Sequence, residues 1–593
     1  MNDLKVFAWD IETDGLDGEA CYVSWAHDGK VFGRPVTGPA ELTDWLISEA
    51  LIPRFARHIF VAHYGTRFDL LRLDWPRIAE AGFDARFYTA KNVNDILGVD
   101  FCKGRKVWRF RDSFRYFPSS LRDFVGLFAP DEKKGDLDFS TMTFDPDNLH
   151  HVAYAMNDSK ILARACVGLD GFLKDEFDTS MTEAITASGV AFKAVKKHSK
   201  KAGYPEIIPV ADFLEPIVRH SFHGGLVGAW RVGEFSDIVL LDFNSLYGSI
   251  LLRHGLPSGA ACLTRSMPRE RDVPALVLAR IDMRSAFPFV LSKDRKRGMG
   301  RWAGSNILTW AWDFELDVQA ELGATVERQA WITWPTLDYR HQSFIEKCRA
   351  LRKKDAKGPL GTLAKLMQNG CYGKYGSIAR STELRLCTDI PDDGTPVYDE
   401  NGEPIPALWN VPVFENKRSF VHYASYVTAA GRCILMRALM RLPREQWLAG
   451  DTDSLMVHAD FFRCFEDLIG DDYGALKIEA AGDVTIRAPK VYRIEADDGE
   501  VRYRNKGIPR ALSEIAWTKG EVSYQAGKSL GVVMRRQTRD GGVEYAEMAS
   551  RRLSGPGSVT QGFYDETGRW QPGTSCDTVA PGLTLLGETD APD

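Results

Sequence analysis

Seven carboxylates fall into two clusters along this chain. In the first, Asp10 and Glu12 flank Ile11, while Asp69 (in AHYGTRFD) and Asp158 (in YAMND) follow at long range. Residues two apart on an extended strand point to one face, so Asp10 and Glu12 can reach one site. Tyr154 and Asp158, four apart on a helix, set a hydroxyl beside a carboxylate. In the second cluster Asp242 closes the apolar run VLLDF, and Asp451-Thr452-Asp453 makes an acidic turn between apolar stretches. Crowded carboxylates repel and are costly to bury, and a bound divalent cation is the simplest resolution. Hard ions such as Mg2+ or Mn2+ take oxygen ligands, and two held a few ångströms apart can activate a water and stabilise the leaving oxygen of a phosphodiester. Taken singly, each acid is as readily a solvated surface charge or a helix cap, and DTDS as readily an ordinary turn. Lys365, Asn369 and Tyr372 of KLMQNGCYG fall at i, i+4 and i+7, so one helical face carries a cation, an amide and a ring. Such a face can meet a triphosphate and a base; equally, the first two can be solvated and Tyr372 can belong to the core.

The elements that must position these groups can be read around them. At 593 residues the chain should hold about three to five structural units. Its 75 Lys+Arg against 81 Asp+Glu, a net charge of −6, exclude a uniformly basic nucleic-acid binder but leave room for local patches. No apolar run is long enough to span a membrane, and MNDLKVFAWDIE places carboxylates where a signal peptide needs basic and then apolar residues, so the expectation is an intracellular, cytoplasmic protein. The ten cysteines include no C-x-x-C pair, which argues against a zinc ribbon or iron-sulfur cluster. Val6 to Trp9, then Cys21 to Ala26 joined to Val31 through His27-Asp28-Gly29-Lys30, predict the opening strands of a sheet. A helix is predicted from Asp145 as cap and Pro146 as first helical residue, with apolar Leu149, Val152, Ala153, Met156, Ile161 and Leu162. Val239 to Phe243 predicts a buried strand. His341 to Lys354 and Leu360 to Tyr372 predict an αα-hairpin around the basic tip DAKGP, and Thr388 to Pro412 an inserted hairpin. Beyond about Gly541 the composition drifts to Gly, Ser, Thr and Pro, so the last forty or so residues are expected to be partly disordered.

In order and spacing these segments resemble family B DNA polymerases, up to about residue 535. DIET (Asp10 to Thr13), AHYGTRFD (Ala62 to Asp69) and YAMND (Tyr154 to Asp158) are similar to that family's proofreading motifs; DFNSLYGS (Asp242 to Ser249), KLMQNGCYG (Lys365 to Gly373) and GDTDS (Gly450 to Ser454) to its polymerase motifs. The resemblance implies an α/β and α+β multidomain fold: a ribonuclease H-like 3′–5′ exonuclease domain, then a right-hand polymerase with palm, fingers and thumb. The implied boundaries are 1–180 exonuclease, 181–253 first palm segment, 254–340 first insertion, 341–376 fingers, 377–417 hairpin insertion, 418–512 second palm segment, 513–560 thumb and 561–593 tail.

Smaller segments resemble the protein-primed branch of small bacteriophages and linear plasmids. Ser120-Leu121 with Phe124, and Lys134 in KGDLDF, are similar to its single-strand and terminal-protein elements; His223-Gly224-Gly225 to its linker motif; Thr428 to Arg432, with Gly431, to a template-primer element; Lys490 and Tyr492 to the element holding the primer end. The implied metal ligands are Asp242 and Asp453, with Asp451 in support, at one site, and Asp10, Glu12, Asp69 and Asp158 at the other, each site taking two Mg2+ or Mn2+ ions. Tyr154 would orient the hydrolytic water. Ser245, Leu246, Tyr247, Lys365, Asn369 and Tyr372 would bind the nucleotide, Tyr247 as steric gate against ribonucleotides, with Lys353, Lys354 and Lys357 adding positive charge near the fingers tip. Phe68, Ser120, Leu121, Lys134, Gly224, Gly225, Thr428, Gly431, Arg432, Lys490 and Tyr492 would contact DNA. The implied partners are a DNA template-primer, deoxynucleoside triphosphates and a terminal priming protein, and the implied state is a monomer. Tyr64 departs from the family's Asn, Gly248 from its Pro, Gly370-Cys371 from Ser-Leu, and Ala449 from Tyr.

Overall fold

In the computed structural model, the described residues are 4–15, 17–89, 96–137, 143–266, 272–283, 287, 289–290, 292–294, 298–300, 307–355, 358–377, 382–398, 402–413, 419–528, 533, 545–553, 562–564 and 570–572. Strand β1 (Val6–Thr13) outruns the apolar stretch that announced it and carries Asp10 and Glu12 inside its span. It pairs antiparallel with Ala20–His27 and parallel with Ile59–Ala62. The return to Lys30–Pro35 turns at Asp28 and Gly29, both at positive φ (48° and 75°), the backbone of a two-residue hairpin whose twist matches its strands.

Beneath this sheet lies helix α1 (Leu149–Phe177). Its cap is Asn148, whose side chain accepts from the His150 amide at 2.9 Å, and not Asp145 as predicted. Asp145 instead accepts from the Asp147 amide at 2.9 Å and closes the turn before the helix. The packed face is correspondingly Ala155, Asp158, Ser159, Leu162, Ala165 and Cys166, while Leu149 and Ala153 are exposed.

The 377–417 region departs most from expectation. Three strands, Thr382–Leu386, Thr395–Tyr398 and Pro404–Pro412, extend the N-terminal sheet to ten strands, with Leu384 opposite Phe87 and Leu386 opposite Ala85. Leu384, Leu386, Ile405 and Leu408 are buried in the same core as Phe87, Trp75 and Trp9. The reason is edge pairing: Asp84–Thr89 would otherwise present unpaired N–H and C=O groups.

The second large sheet has seven antiparallel strands. At its centre are β2 (Gly233–Phe243) and β3 (Leu476–Ala488), with Ser454–His458 on the other side of β2. Residues 254–340 contribute a separate four-stranded antiparallel sheet and helix Asp313–Glu321. The predicted helix pair is α2 (Gln342–Lys354) and α3 (Pro359–Gly373); Lys353 and Lys354 are exposed, and Lys357 lies outside the described residues. Helix α4 (Val421–Leu439) is buried along nearly its whole length. One apolar core runs from Val6 and Ala8 through α1 to Leu241, Phe243 and α4, so both acidic sites stand on a shared support. Toward the C-terminus, Glu521–Gly527 pairs with Ala546–Arg552, and Tyr545 is buried against the N-terminal unit, its ring 4.4 Å from the Arg72 guanidinium. Apart from Gly562–Tyr564 and Trp570–Pro572, the predicted disordered tail lies outside the described residues. Among the described residues no helix is long and apolar enough to cross a membrane.

Candidate active sites

The first cluster assembles from three elements. Strand β1 presents Asp10 and Glu12, a single turn (Asp69–Arg72) presents Asp69, and α1 presents Asp158; Asp69 and Asp158 are buried. Burial first, and then the neighbouring carboxylates, raise three of the four: Asp10 to about 7, Glu12 to about 9, with Asp69 also above the ordinary range. Burial likewise raises Asp158. Lys134, placed by resemblance among the DNA contacts, instead sits inside the cluster. Its ammonium donates to Asp158 and lies 4.9 Å from the centre of the Tyr154 ring. One lysine cannot satisfy four acids, and Oδ1 of Asp69 and Oδ1 of Asp158 are buried without a hydrogen-bond partner. Orphaned carboxylate oxygens in a like-charged group suit a hard divalent ion.

Around this cluster, the Phe68 ring lies 4.0 Å from the Arg72 guanidinium and is half-buried. Ser120 is exposed and caps the helix Leu121–Phe128 by accepting from the Asp123 amide at 3.1 Å, and Leu121 packs partly into the core. Tyr64 stands at φ 67°, a conformation Asn tolerates better than an aromatic residue. Two features hold it there: its amide donates to Asp112 at 2.9 Å, and its ring meets Phe114 edge-on at 5.0 Å.

The second cluster centres on the end of β2. Asp242 faces Ser454 on one side and Lys477 on the other, and the Lys477 ammonium is 2.9 Å from Asp242 Oδ2. Asp451 and Asp453 flank the turn between Ala449–Asp451 and Ser454–His458, with Thr452 at φ 65°. Burial, followed by repulsion from Asp242, raises the Asp453 carboxyl to about 6, although Lys365 opposes the rise. Asp451 is paired with Lys490 at 3.1 Å and approached by Arg504 at 3.6 Å. Among the described residues no three Asp, Glu, His or Cys side chains form a ready-made cage for an ion, and lysines pair with one acid of the first cluster and two of the second.

These acids border a cleft lined by Asp242, Phe243, Ser245, Leu246, Tyr247, Arg352, Lys365, Asn369, Asp453 and Lys477. Five of the six residues expected to bind nucleotide line it. The sixth, Tyr372, stands behind, its ring 5.2 Å from that of Tyr247. Tyr247 is seated by two glycines from distant motifs: a β-carbon on Gly225 would fall 2.8 Å from its hydroxyl, and one on Gly431 2.7 Å from Cε1. Gly224 contributes its carbonyl, which accepts from Arg432.

Two expected DNA contacts are corrected here. Arg432 is 1% exposed and held from three sides: Nε and Nη2 donate to Glu315 at 3.2 and 2.6 Å, and Nη1 donates to the carbonyls of His223 and Gly224 at 2.9 and 2.8 Å. It ties α4 to the linker segment and to helix Asp313–Glu321, and its burial keeps it from phosphate. Thr428 is also buried, its hydroxyl donating to the Ala424 and Ser425 carbonyls of its own helix. Lys490, at φ 60°, and half-buried Tyr492 stand at the turn beside Asp451. Sequence reasoning missed Lys477 and Arg352. Arg352 donates to Ser245 and to the Tyr473 hydroxyl, and it immediately precedes the two exposed lysines that drew the prediction. Of the family departures, Gly370 has a physical reason, since a β-carbon there would fall 2.6 Å from the Ser188 backbone. At Gly248 the corresponding space holds the Gln368 amide.

A family model for DNA polymerase type B, organellar and viral, matches residues 147–393. The DNA-directed DNA polymerase of Enterobacteria phage PRD1 is 24% identical over 517 residues, covering 82% of this chain and 84% of that protein. The DNA polymerase of Streptococcus phage Cp-1 is 23% identical, over 64% and 70% of the two chains. The solved structure of phi29 DNA polymerase with primer-template DNA and incoming nucleotide superposes with a TM-score of 0.71 at 16% identity, over 93% of this chain and all of that one. The fold, its two acidic sites and these matches define a nucleotidyltransferase of the DNA polymerase class. In sequence the chain is similar to DNA polymerases of type B, organellar and viral, over residues 147–393, and to the phage polymerases over most of its length.

Proposed function

We propose that this polymerase copies a viral or plasmid genome, extending a 3′ end with deoxynucleotides at the Asp242/Asp453 cleft and editing it at the Asp10/Glu12/Asp69/Asp158 cluster. A terminal protein would supply the first hydroxyl, and the 377–417 strands would support strand displacement. The reading rests above all on one cleft that holds Asp242 and Asp453 with Lys365, Arg352 and Tyr247. Divalent ions held by these acids would supply the charge needed at the primer hydroxyl and the triphosphate. Lys365 and Arg352 offer donors to triphosphate oxygens, Arg352 in forked geometry. Tyr247, held from behind by two glycines, presents a ring edge where a 2′-hydroxyl would go. Lys490 and Tyr492 bear on the primer end. In the editing cluster Tyr154 would orient the attacking water beside Asp158. Phe68 and Leu121 would meet a frayed strand through faces that accept any base. A mispaired end frays more readily, so the nuclease acts as an editor.

The test is extension of a primed template by the whole chain with Mg2+ and deoxynucleotides, and its loss on chelation. Extension that survives chelation would contradict the reading. For priming, the reading predicts nucleotide attachment to a Ser, Thr or Tyr of a small partner protein, and no synthesis on bare single-stranded circles. Unaided synthesis on such circles would point instead to a polymerase that starts chains alone.

A further inference from the structure

All three acids of the polymerase cleft have a basic side chain nearby, but the partners differ in kind. Lys490 and Arg504 attend Asp451 from the β3 turn and the strand Val501–Asn505, and neither lines the cleft. Lys365 acts on Asp453 from α3. Among the described residues Lys477 alone both contacts an acid of this cleft, Asp242, and lines the cleft wall beside Lys365, Asn369 and Tyr247. Its backbone position is fixed, because Lys477 is directly opposite Asp242 in the β2–β3 ladder. Its head is free to move: the side chain is 48% exposed on a flexible four-carbon stem.

The Lys477 ammonium, 2.9 Å from Asp242 Oδ2, takes up a carboxylate oxygen that a divalent ion held by Asp242 could use. The two cannot share that oxygen without strong repulsion. We infer that Lys477 is a mobile counter-ion with two posts: on Asp242 while the cleft is empty, and on a phosphate oxygen of the nucleotide once a divalent ion has displaced it. The inference rests on the reading of this cleft as the nucleotide site. In its first post Lys477 keeps Asp242 aimed into the cleft and weakens ion binding in the absence of nucleotide. In its second it adds a charge-assisted hydrogen bond to the triphosphate. Ion and nucleotide therefore bind cooperatively, since each frees or fills what the other needs.

The experiment compares the whole wild-type chain with Lys477→Met and Lys477→Arg. Mn2+ binding without nucleotide is measured by calorimetric titration, and kcat and KM for single-nucleotide addition are measured in Mg2+. Lys477→Met should bind Mn2+ several-fold more tightly, raise the KM for nucleotide about ten-fold, and lose most of the gain in Mn2+ affinity that nucleotide confers on the wild type. Lys477→Arg should keep the KM near the wild-type value. An Mn2+ affinity that is unchanged or weaker in Lys477→Met, or a KM that does not move, overturns the inference. A merely structural lysine would shift the melting temperature without tightening ion binding. Failure of the wild type itself to extend a primer would instead strike the reading of the cleft.

Discussion

Gly431 and Tyr247 are in contact across two distant motifs: a β-carbon on the glycine would come within 2.7 Å of the tyrosine Cε1. The ring that borders the Asp242/Asp453 cleft is thus positioned from behind by an absent side chain. Gly431→Ala should push the ring into the cleft and lower kcat/KM for deoxynucleotides about ten-fold or more, mainly through KM. Removing the ring with Tyr247→Val should act in the opposite sense and raise ribonucleotide incorporation. Steady-state kinetics with matched dNTP and rNTP pairs check both; an unchanged dNTP/rNTP preference in Tyr247→Val would refute the gate.

Arg432 offers a contrast between stability and binding. With Glu315 it forms a buried pair, so Arg432→Gln should leave the Glu315 carboxylate uncompensated and cost about 3–5 kcal/mol in denaturant unfolding. The dependence of DNA affinity on salt should not change, because Arg432 reaches no phosphate. A salt slope reduced by about one would return Arg432 to the DNA interface.

Two buried histidines set an acid limit on stability. Burial holds His341 at about 4 and His422 at about 3, against about 6.5 in the unfolded chain. The unfolded state therefore binds more protons between about pH 4 and 6.5. The contribution is complete above about 6.5 and is lost as pH falls toward 4, at up to about 1.4 kcal/mol per pH unit for each histidine. His422 stacks on Trp334 at 5.4 Å, and neither ring nitrogen has a hydrogen-bond partner, so His422→Phe should keep the packing. Unfolding measured from pH 7.5 to 4.5 should show a shallower loss in His422→Phe than in wild type; parallel curves would contradict this.

The strands at 382–412 belong physically to the N-terminal unit. Leu386→Ala removes a buried side chain from its core and should cost about 2–5 kcal/mol. Amide exchange should then accelerate in Asp84–Thr89, the strand that Leu384 to Leu386 pair with. Unaltered protection there would show the strands to be merely adjacent.

Much of this architecture was readable locally. Period-two spacing placed Asp10 and Glu12 on one face, the acidic turn at Thr452 follows from its flanking apolar runs, and the α2–α3 pair appears within a residue or two of its predicted ends. What could not be read was set by long-range pairing. Lys477 acquires its neighbour from a ladder that joins residues 235 positions apart, and a Lys-Ile-Glu alternation on β3 says nothing of what it faces. Arg432 was expected to contact DNA because Thr428 to Arg432 resembles a template-primer element; only the fold reveals Glu315 and two carbonyls waiting for it. The cap of α1 was misplaced because Asp145 and Asn148 are both good caps three residues apart, and Asp145 closes a turn instead.

The most direct measurement is a reciprocal pair of variants assayed on one labelled primer-template with Mg2+. Asp453→Ala should abolish nucleotide addition and retain 3′-to-5′ shortening of the primer, while Asp10→Ala with Glu12→Ala should abolish shortening and retain addition. Normal extension by Asp453→Ala, or persistent shortening by the double variant, would contradict the assignment of the two sites.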